Sequence, residues 1–224
     1  MSKHVFDVIV IGSGTSAYYA LDGLNRDSQR QIAVIDERPY GGTCALRGCQ
    51  PKKFLVSNGE AVAMAAHLSG RGLDGEVTTN WQALQALKND YLRGRSEAEV
   101  TEWQKRGVTT FHGHARMISE NQVKVGDEVL EGGKIILATG AVPRRSEIEG
   151  HEYARDSEYF LEMADLPKRI LFIGGGYISF EFAHVAARAG AQEVVILHRS
   201  ARPLKAFDRD IVTTVIQASD AAHI

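Results

Sequence analysis

The stretch VIVIGSGTSA, residues 8–17, decides how the rest of the chain reads. A compact apolar run from Val5 to Ile11, interrupted only by Asp7, predicts a buried strand, and the glycines after it predict a sharp turn into a helix from about Ala17 to Asn25. Gly12 permits the tight turn, Gly14 lets the backbone come close to a ligand, and Ala17 is small enough for the helix to pack on the strand. Backbone N–H groups and the positive end of the helix dipole then face outward, which suits a pyrophosphate. Ile32 to Ile35 predicts a second strand ending at Asp36, where a carboxylate can accept hydrogen bonds from both hydroxyls of a ribose and repels a 2′-phosphate. Strand, turn, helix, strand and acid in this order predict a right-handed βαβ unit with parallel strands. A glycine turn without a ligand is the alternative for the motif taken alone.

The unit recurs at ILFIGGGYISFEFA, residues 170–183. Arg169 to Ile173 predicts a strand, Gly174 and Gly176 the turn, Ser179 the third small position, Phe180 to Ala189 a helix and Val194 to Leu197 a strand. Leu197-His198-Arg199 stands where an acid would select an unphosphorylated ribose, and Arg199, Arg202 and Lys205 suit a 2′-phosphate instead. A solvated basic turn is the bland alternative. A half-Rossmann unit uses at least three parallel strands and only two are found, so the second sheet reads as unfinished.

Between the two units, residues 54–67 and 81–103 predict helices, 108–111 a strand, 115–118 and 122–125 a hairpin, and Lys134 to Ala138 a strand that ends in Thr139-Gly140. Residues 141–166 have weak periodicity and read as a connecting segment. The 224 residues, 44% hydrophobic and 24% charged, are those of an ordinary globular protein with room for two small domains. A formal net charge of -2 gives no global positive field toward nucleic acid or an anionic membrane, so a small-molecule partner is expected. The first apolar run is too brief for a signal-peptide core, and no run approaches the ~20 residues that cross a bilayer. A soluble, cytoplasmic protein is the expectation. There a structural disulfide is not expected, so its two cysteines read as catalytic, redox-sensing or metal-binding.

Those cysteines lie in GGTCALRGCQPKK, residues 41–53. Thiols separated by four residues can close a small ring if the backbone brings their Cα atoms within about 7 Å, and Gly41, Gly42 and Gly48 supply the freedom. Lys52, Lys53 and a helix start near Pro51 would favour a reactive thiolate. A structural zinc site needs four ligands, and no histidine lies between Cys44 and His67, so no metal is expected. Two unrelated buried cysteines are the remaining alternative.

The segment resembles the active-site segment of the flavoprotein disulfide reductases, the family of glutathione reductase, dihydrolipoamide dehydrogenase and mercuric reductase. VIVIGSGTSA resembles the family's FAD fingerprint, Gly113-His114-Ala115 an FAD-contacting turn, and ILATGAVPR (136–144) the strand that closes the first FAD segment. The resemblance covers nearly the whole chain. It implies an α/β fold: an FAD-binding, Rossmann-like, three-layer domain over residues 1–145, then the start of a second Rossmann-like NAD(P)H-binding domain over residues 146–224. The C-terminal dimerisation domain, which gives the partner subunit a His-Glu pair, is expected to be absent, so the chain is expected to be a fragment that binds FAD weakly alone.

The resemblance further implies FAD contacts at Gly12, Gly14, Thr15, Ser16, Ala17, Asp36, Glu37, Gly42, Thr43, Lys52, His114, Ala115, Thr139 and Gly140. Nicotinamide-nucleotide contacts fall on Gly174, Gly176, Tyr177, Ile178, Arg199 and Lys205, the last two resembling the basic pair of NADPH-using glutathione reductases. NADPH is therefore preferred over NADH. Cys49 would be the thiolate nearer the flavin, and Cys44 would attack the substrate disulfide. Lys52 would lie by the flavin N5, paired with Glu181, and Tyr177 would shield the flavin until the nicotinamide displaces it. Outside the family these three would be a solvated lysine, a helix-surface acid and a buried aromatic. The implied reaction passes a hydride from NADPH through FAD to the Cys44–Cys49 disulfide and on to a small disulfide, in a homodimeric full-length protein. Pro51-Lys52-Lys53 is closer to glutathione reductase, while Ala45-Leu46-Arg47 and Gln50 depart from its pattern. A mercuric-type metal-ion reductase is the second reading within the family, and a truncated FAD-binding protein without full activity the reading outside it.

Overall fold

In the computed structural model, which describes residues 3–24, 30–144 and 147–224, the chain forms two compact units, Met1–Gln50 with Leu92–Tyr153 and Pro51–Tyr91 with Ala154–Ile224. Asn25 and the expected domain boundary at 145/146 lie outside the described residues. The helices are α1 (Thr15–Leu24), α2 (Cys49–Leu68), α3 (Trp81–Leu92), α4 (Arg95–Lys105), α5 (Ser157–Glu162), α6 (Tyr177–Arg188) and α7 (Arg209–Ala221).

The first unit is built on β1 (Lys3–Ile11), whose side chains alternate between two cores. Val8 and Val10 pack with Ile32 and Val34 against Ala17 and Leu21 of α1 and Trp103 of α4. Ile9 and Ile11 face the other way, onto Val123, Val125 and Leu130. Three layers result. The sheet runs β3-β2-β1-β6-β5-β4, with β2 (Ile32–Asp36), β3 (Val108–His112) and β6 (Glu128–Leu137) parallel to β1 and the short β4 (Ala115–Met117) and β5 (Gln122–Val125) antiparallel. Asp7, the polar interruption in β1, accepts the backbone N–H of Gln31 at 2.8 Å.

The second unit holds a two-stranded parallel sheet, β7 (Arg169–Ile173) and β8 (Glu193–Leu197). One face, with Ile170, Phe172, Val194 and Ile196, packs with α6, with Trp81 and Leu84 of α3 and with Phe160 and Leu161 of α5. The other face leaves Leu171, Ile173, Val195 and Leu197 exposed. Three side chains of α3 bind the end of α5: Lys88 Nζ donates to Leu161 O, Trp81 Nε1 to Met163 O at 2.9 Å and Gln82 Nε2 to Asp165 Oδ1 at 2.7 Å.

Several boundaries differ from the sequence reading for local reasons. The helix expected over 81–103 breaks into α3 and α4 at Gly94, which is left-handed with φ 71°. β6 begins at Glu128 rather than Lys134 and passes through Gly132-Gly133, where a β-carbon would stand 2.9 Å from the Ile9 side chain or 3.0 Å from Asp7 O. The connecting segment contains α5, capped by Asp156, whose carboxylate accepts from Tyr159 N at 3.0 Å. α7 is likewise capped by Asp208 through the amides of Asp210 and Ile211. α2 starts at Cys49 instead of Phe54, because a proline in a first turn lacks an N–H that would have no helical partner there.

Candidate active site

In the first unit the expected FAD-contacting residues gather at the C-terminal ends of the parallel strands. Strands β2 and β3 run outward from β1 on one side and β6 lies on the other, so the strand order switches between β1 and β6. A crevice at such a switch point is where open α/β sheets take a dinucleotide. Gly12 (φ 106°) ends β1 so close to β6 that a β-carbon would stand 2.2 Å from Ala138 O. Thr15 and Ser16 are exposed at the start of α1, Ala17 is buried behind them, and Thr139 and Gly140 are exposed beyond β6. These residues fit a flavin dinucleotide: small groups and exposed backbone line the switch point, with carboxylates at the end of β2.

Those carboxylates are already engaged. Asp36 Oδ2 accepts the Ser13 amide at 2.8 Å and the Ser13 hydroxyl at 2.5 Å, while Oδ1 accepts Arg38 N at 2.9 Å. Glu37 is exposed and lies 2.6 Å from His114 Nδ1. The 113–115 turn is held to β2 by Gly113 N donating to Asp36 O at 2.9 Å. Tyr40 supports the same strand end from below, its hydroxyl lying 2.9 Å from Val34 O and 2.7 Å from Phe111 O; burial, and then the charge of Asp36, push its ionisation far up.

The cysteine segment rests on this turn. Gly42 (φ 65°) is packed against Gly14, and Gly41 N donates to Ser13 Oγ at 3.3 Å. Thr43–Arg47 forms one π-turn that carries half-buried Cys44, and after Gly48 the exposed Cys49 opens α2. π-turns are rare and recur at functional sites. Gln50, next in α2, accepts Arg95 Nη1 at 2.8 Å.

In the second unit Gly174 (φ 128°) ends β7 and Gly176 precedes α6. Gly175 is the tightest of the three glycines, since a β-carbon there would meet Pro203 at 3.0 Å and His198 at 3.1 Å. Leu204 N donates to Gly175 O at 2.8 Å, which folds the basic loop after β8 back onto the glycine turn. Arg199 and Lys205 are exposed on that loop and Arg202 is half-buried. Lys52 Nζ lies 2.6 Å from Glu181 Oε2 and 5.3 Å from the centroid of the exposed Tyr177 ring, so one ammonium meets both a carboxylate and an aromatic face of α6. Ile178 is exposed beside Tyr177.

Residues 6–223 match the family described as pyridine nucleotide-disulphide oxidoreductase. The chain belongs to that family. Members of this FAD-dependent family use a pyridine nucleotide. The chain is 31% identical over 211 residues to a glutathione reductase of Nostoc sp., covering 94% of this chain and 46% of that one. It is 31% identical to a glutathione reductase of Burkholderia cepacia (94% and 47%) and 28% identical to a dihydrolipoyl dehydrogenase of Mycoplasma genitalium (92% and 46%). The fold is that of the HOCl-induced flavoprotein disulfide reductase RclA from Escherichia coli, solved as a cysteine-to-serine mutant in a Cu(II) complex, with a TM-score of 0.83, 24% identity, and coverage of 98% of this chain and 48% of that one. The chain thus spans about half the length of the relatives it matches. Among the described residues no helix is long and apolar enough to cross a membrane, and no group of three or more His, Cys, Asp or Glu could hold a metal ion.

Two residues at the site escaped the sequence reading. Ser13 sits between the fingerprint glycines, and its hydroxyl opposite the acid after β2 was a signal within reach. Arg95 lies 45 residues from Gln50, and no spacing rule points to it.

Proposed function

We propose that the chain forms the flavin- and nucleotide-binding part of an NADPH-dependent, glutathione reductase-like enzyme in which Cys44 and Cys49 are the redox-active disulfide. The observation that carries this reading is the seat of the cysteine segment: Gly42 against Gly14, Cys44 in a π-turn and Cys49 exposed at the start of α2. FAD, when bound, supplies two-electron transfer between a reduced nicotinamide and a disulfide. Residues 1–145 hold FAD through the turn at Gly12 and Gly14, the Asp36 and Glu37 carboxylates, and Thr139-Gly140. Residues 146–224 hold the nucleotide, with Arg199, Lys205 and the neighbouring Arg202 on its 2′-phosphate.

In the oxidative half of the cycle, where the enzyme dithiol gives up two electrons, the Cys44 thiolate attacks one sulfur of a small disulfide. A mixed disulfide forms and the first substrate thiolate leaves. The Cys49 thiolate then attacks Cys44 Sγ, which closes the Cys44–Cys49 bond and releases the second substrate thiolate; each released thiolate takes up one proton. Lys52, held by Glu181, keeps a fixed positive charge, and Tyr177 covers the nucleotide face until a nicotinamide displaces it. The full-length protein is proposed to act as a homodimer.

The test compares NADPH and NADH as reductants of the flavin-loaded protein. Replacing both Arg199 and Lys205 by alanine lowers the preference for NADPH by about tenfold or more, because hydrogen bonds to a charged phosphate are lost. An undiminished preference overturns the nucleotide assignment. Loss of disulfide reduction in Cys44→Ser is expected as well, and full turnover in that variant overturns the thiol assignment.

A further inference from the structure

Leu204 has φ 50°, and among the described residues only it and His223 combine a positive φ with a side chain. A left-handed backbone is unfavourable for leucine and persists only where the surrounding structure enforces it. Here three sets of contacts do so. The side chain is 8% exposed and packs with Phe180 of α6, Val212 of α7 and Ile196 of β8. The N–H donates to Gly175 O at 2.8 Å, and the carbonyl accepts Phe207 N at 2.9 Å. Buried Pro203, just before it, lies against Gly175, where a β-carbon would stand 3.0 Å from Pro203 Cβ. Leu204 is thus tied to the middle glycine of the second turn, with half-buried Arg202 on one side of it in the chain and exposed Lys205 on the other.

We propose that Leu204 is a positioning residue for the nucleotide phosphate: its left-handed backbone and buried side chain latch the basic loop after β8 onto the Gly174–Gly176 turn, so that Arg202 and Lys205 stay beside that turn. The role rests on the reading of this loop as the 2′-phosphate site and goes beyond it, since that reading uses the cations and assigns nothing to the leucine. When the loop is latched for only a fraction of the time, the apparent affinity for NADPH falls in proportion to that fraction. NADH has no 2′-phosphate and loses little.

Trypsin nicking and nucleotide kinetics test the latch and its consequence separately. Trypsin cleaves after Arg199 and Lys205 but not after Arg202, which precedes Pro203. Nicking of the flavin-loaded protein at those two bonds, relative to cleavage elsewhere in the chain, reads release of the loop and needs no nucleotide. Leu204→Ala removes the buried side chain, whereas Leu204→Val keeps most of the apolar volume but resists a positive φ because it is β-branched. Both are expected to nick about fivefold faster and to raise the KM for NADPH by a similar factor, with kcat kept and the KM for NADH changed by less than about twofold. Leu204→Met, unbranched and of similar volume, is expected to behave as the wild type. Wild-type nicking in either Leu204→Ala or Leu204→Val would overturn the latch. Faster nicking with an unchanged preference for NADPH over NADH would overturn the positioning role, when replacing both Arg199 and Lys205 by alanine does lower that preference. If that double variant keeps the preference, the 2′-phosphate reading fails and the role of Leu204 falls with it, an outcome that the nicking rates tell apart from failure of the latch.

Discussion

Gly42 lies so close to Gly14 that a β-carbon on Gly42 would stand 2.3 Å from the Gly14 Cα. This one approach joins the cysteine segment to the glycine turn at the end of β1. Gly42 is also left-handed at φ 65°, so alanine there meets both a collision with backbone and an unfavourable conformation. Gly42→Ala is expected to destabilise the protein by about 2 kcal/mol or more and to cut flavin retention. Gly140→Ala, at φ 75° with nothing within 4 Å of the added carbon, is expected to cost only about 1 kcal/mol. Urea midpoints and flavin content after gel filtration check the pair.

Ser13 places both its donors on Asp36 Oδ2, which fixes the direction of the carboxylate at the C-terminal end of β2. Ser13→Ala removes the hydroxyl and leaves the amide bond in place. It is expected to cost about 1 kcal/mol of stability and to weaken flavin binding severalfold. Fluorescence titration with FAD reads the affinity; an unchanged value would show that the hydroxyl does not orient Asp36.

His184 gives the second unit a dependence on pH. Its Nε2 lies 3.0 Å from Ser219 Oγ, whose own proton goes to Val215 O at 2.9 Å, so Nε2–H is the donor and joins α6 to α7. Its Nδ1 is buried with no partner among the described residues. Burial, and then the nearby Arg188, hold the imidazole below its ordinary value. The unfolded chain therefore binds more protons in the window between the folded value and about 6.5. The stability from neutral His184 is complete above that window and is lost as pH falls through it. His184→Gln keeps a donor for Ser219 without a titrating group. Urea midpoints at pH 8, 7, 6 and 5 are expected to fall less steeply in this variant than in the wild type, and parallel slopes would count against the assignment.

Lys88 is 2% exposed, its ammonium given to Leu161 O at the end of α5, and burial pushes its ionisation down against the opposing charge of Glu162. Lys88→Ala opens a cavity and removes the donor, for an expected loss of about 2–4 kcal/mol. Lys88→Met refills the volume without burying a charge, so it is expected to cost less than half as much. Thermal unfolding of the two variants measures the difference.

Much of the architecture was legible because it rests on period and punctuation. Alternating apolar residues in β1, glycines at 12, 14, 174 and 176 and the acid at 36 each carry a local cause. What escaped depended on distant partners. The Gly132-Gly133 pair reads as a break until Asp7 and Ile9 of β1 are seen to need the room. Residues 81–103 read as one helix because the pattern ignores the handedness of Gly94. Among the site residues the glycines and cysteines announced themselves by spacing, whereas Ser13 and Arg95 became visible only through Asp36 and Gln50.

In the proposed enzyme the Cys49 sulfur exchanges electrons with a bound flavin. Anaerobic titration of the flavin-loaded protein with NADPH, followed by absorbance, tests it most directly. A long-wavelength thiolate-to-flavin band is expected to grow in the wild type as the disulfide is reduced, to be present before any reductant in Cys44→Ser, whose Cys49 has no disulfide partner, and to be missing in Cys49→Ser. A band that persists in Cys49→Ser, or flavin reduction with no such band in the wild type, would contradict it.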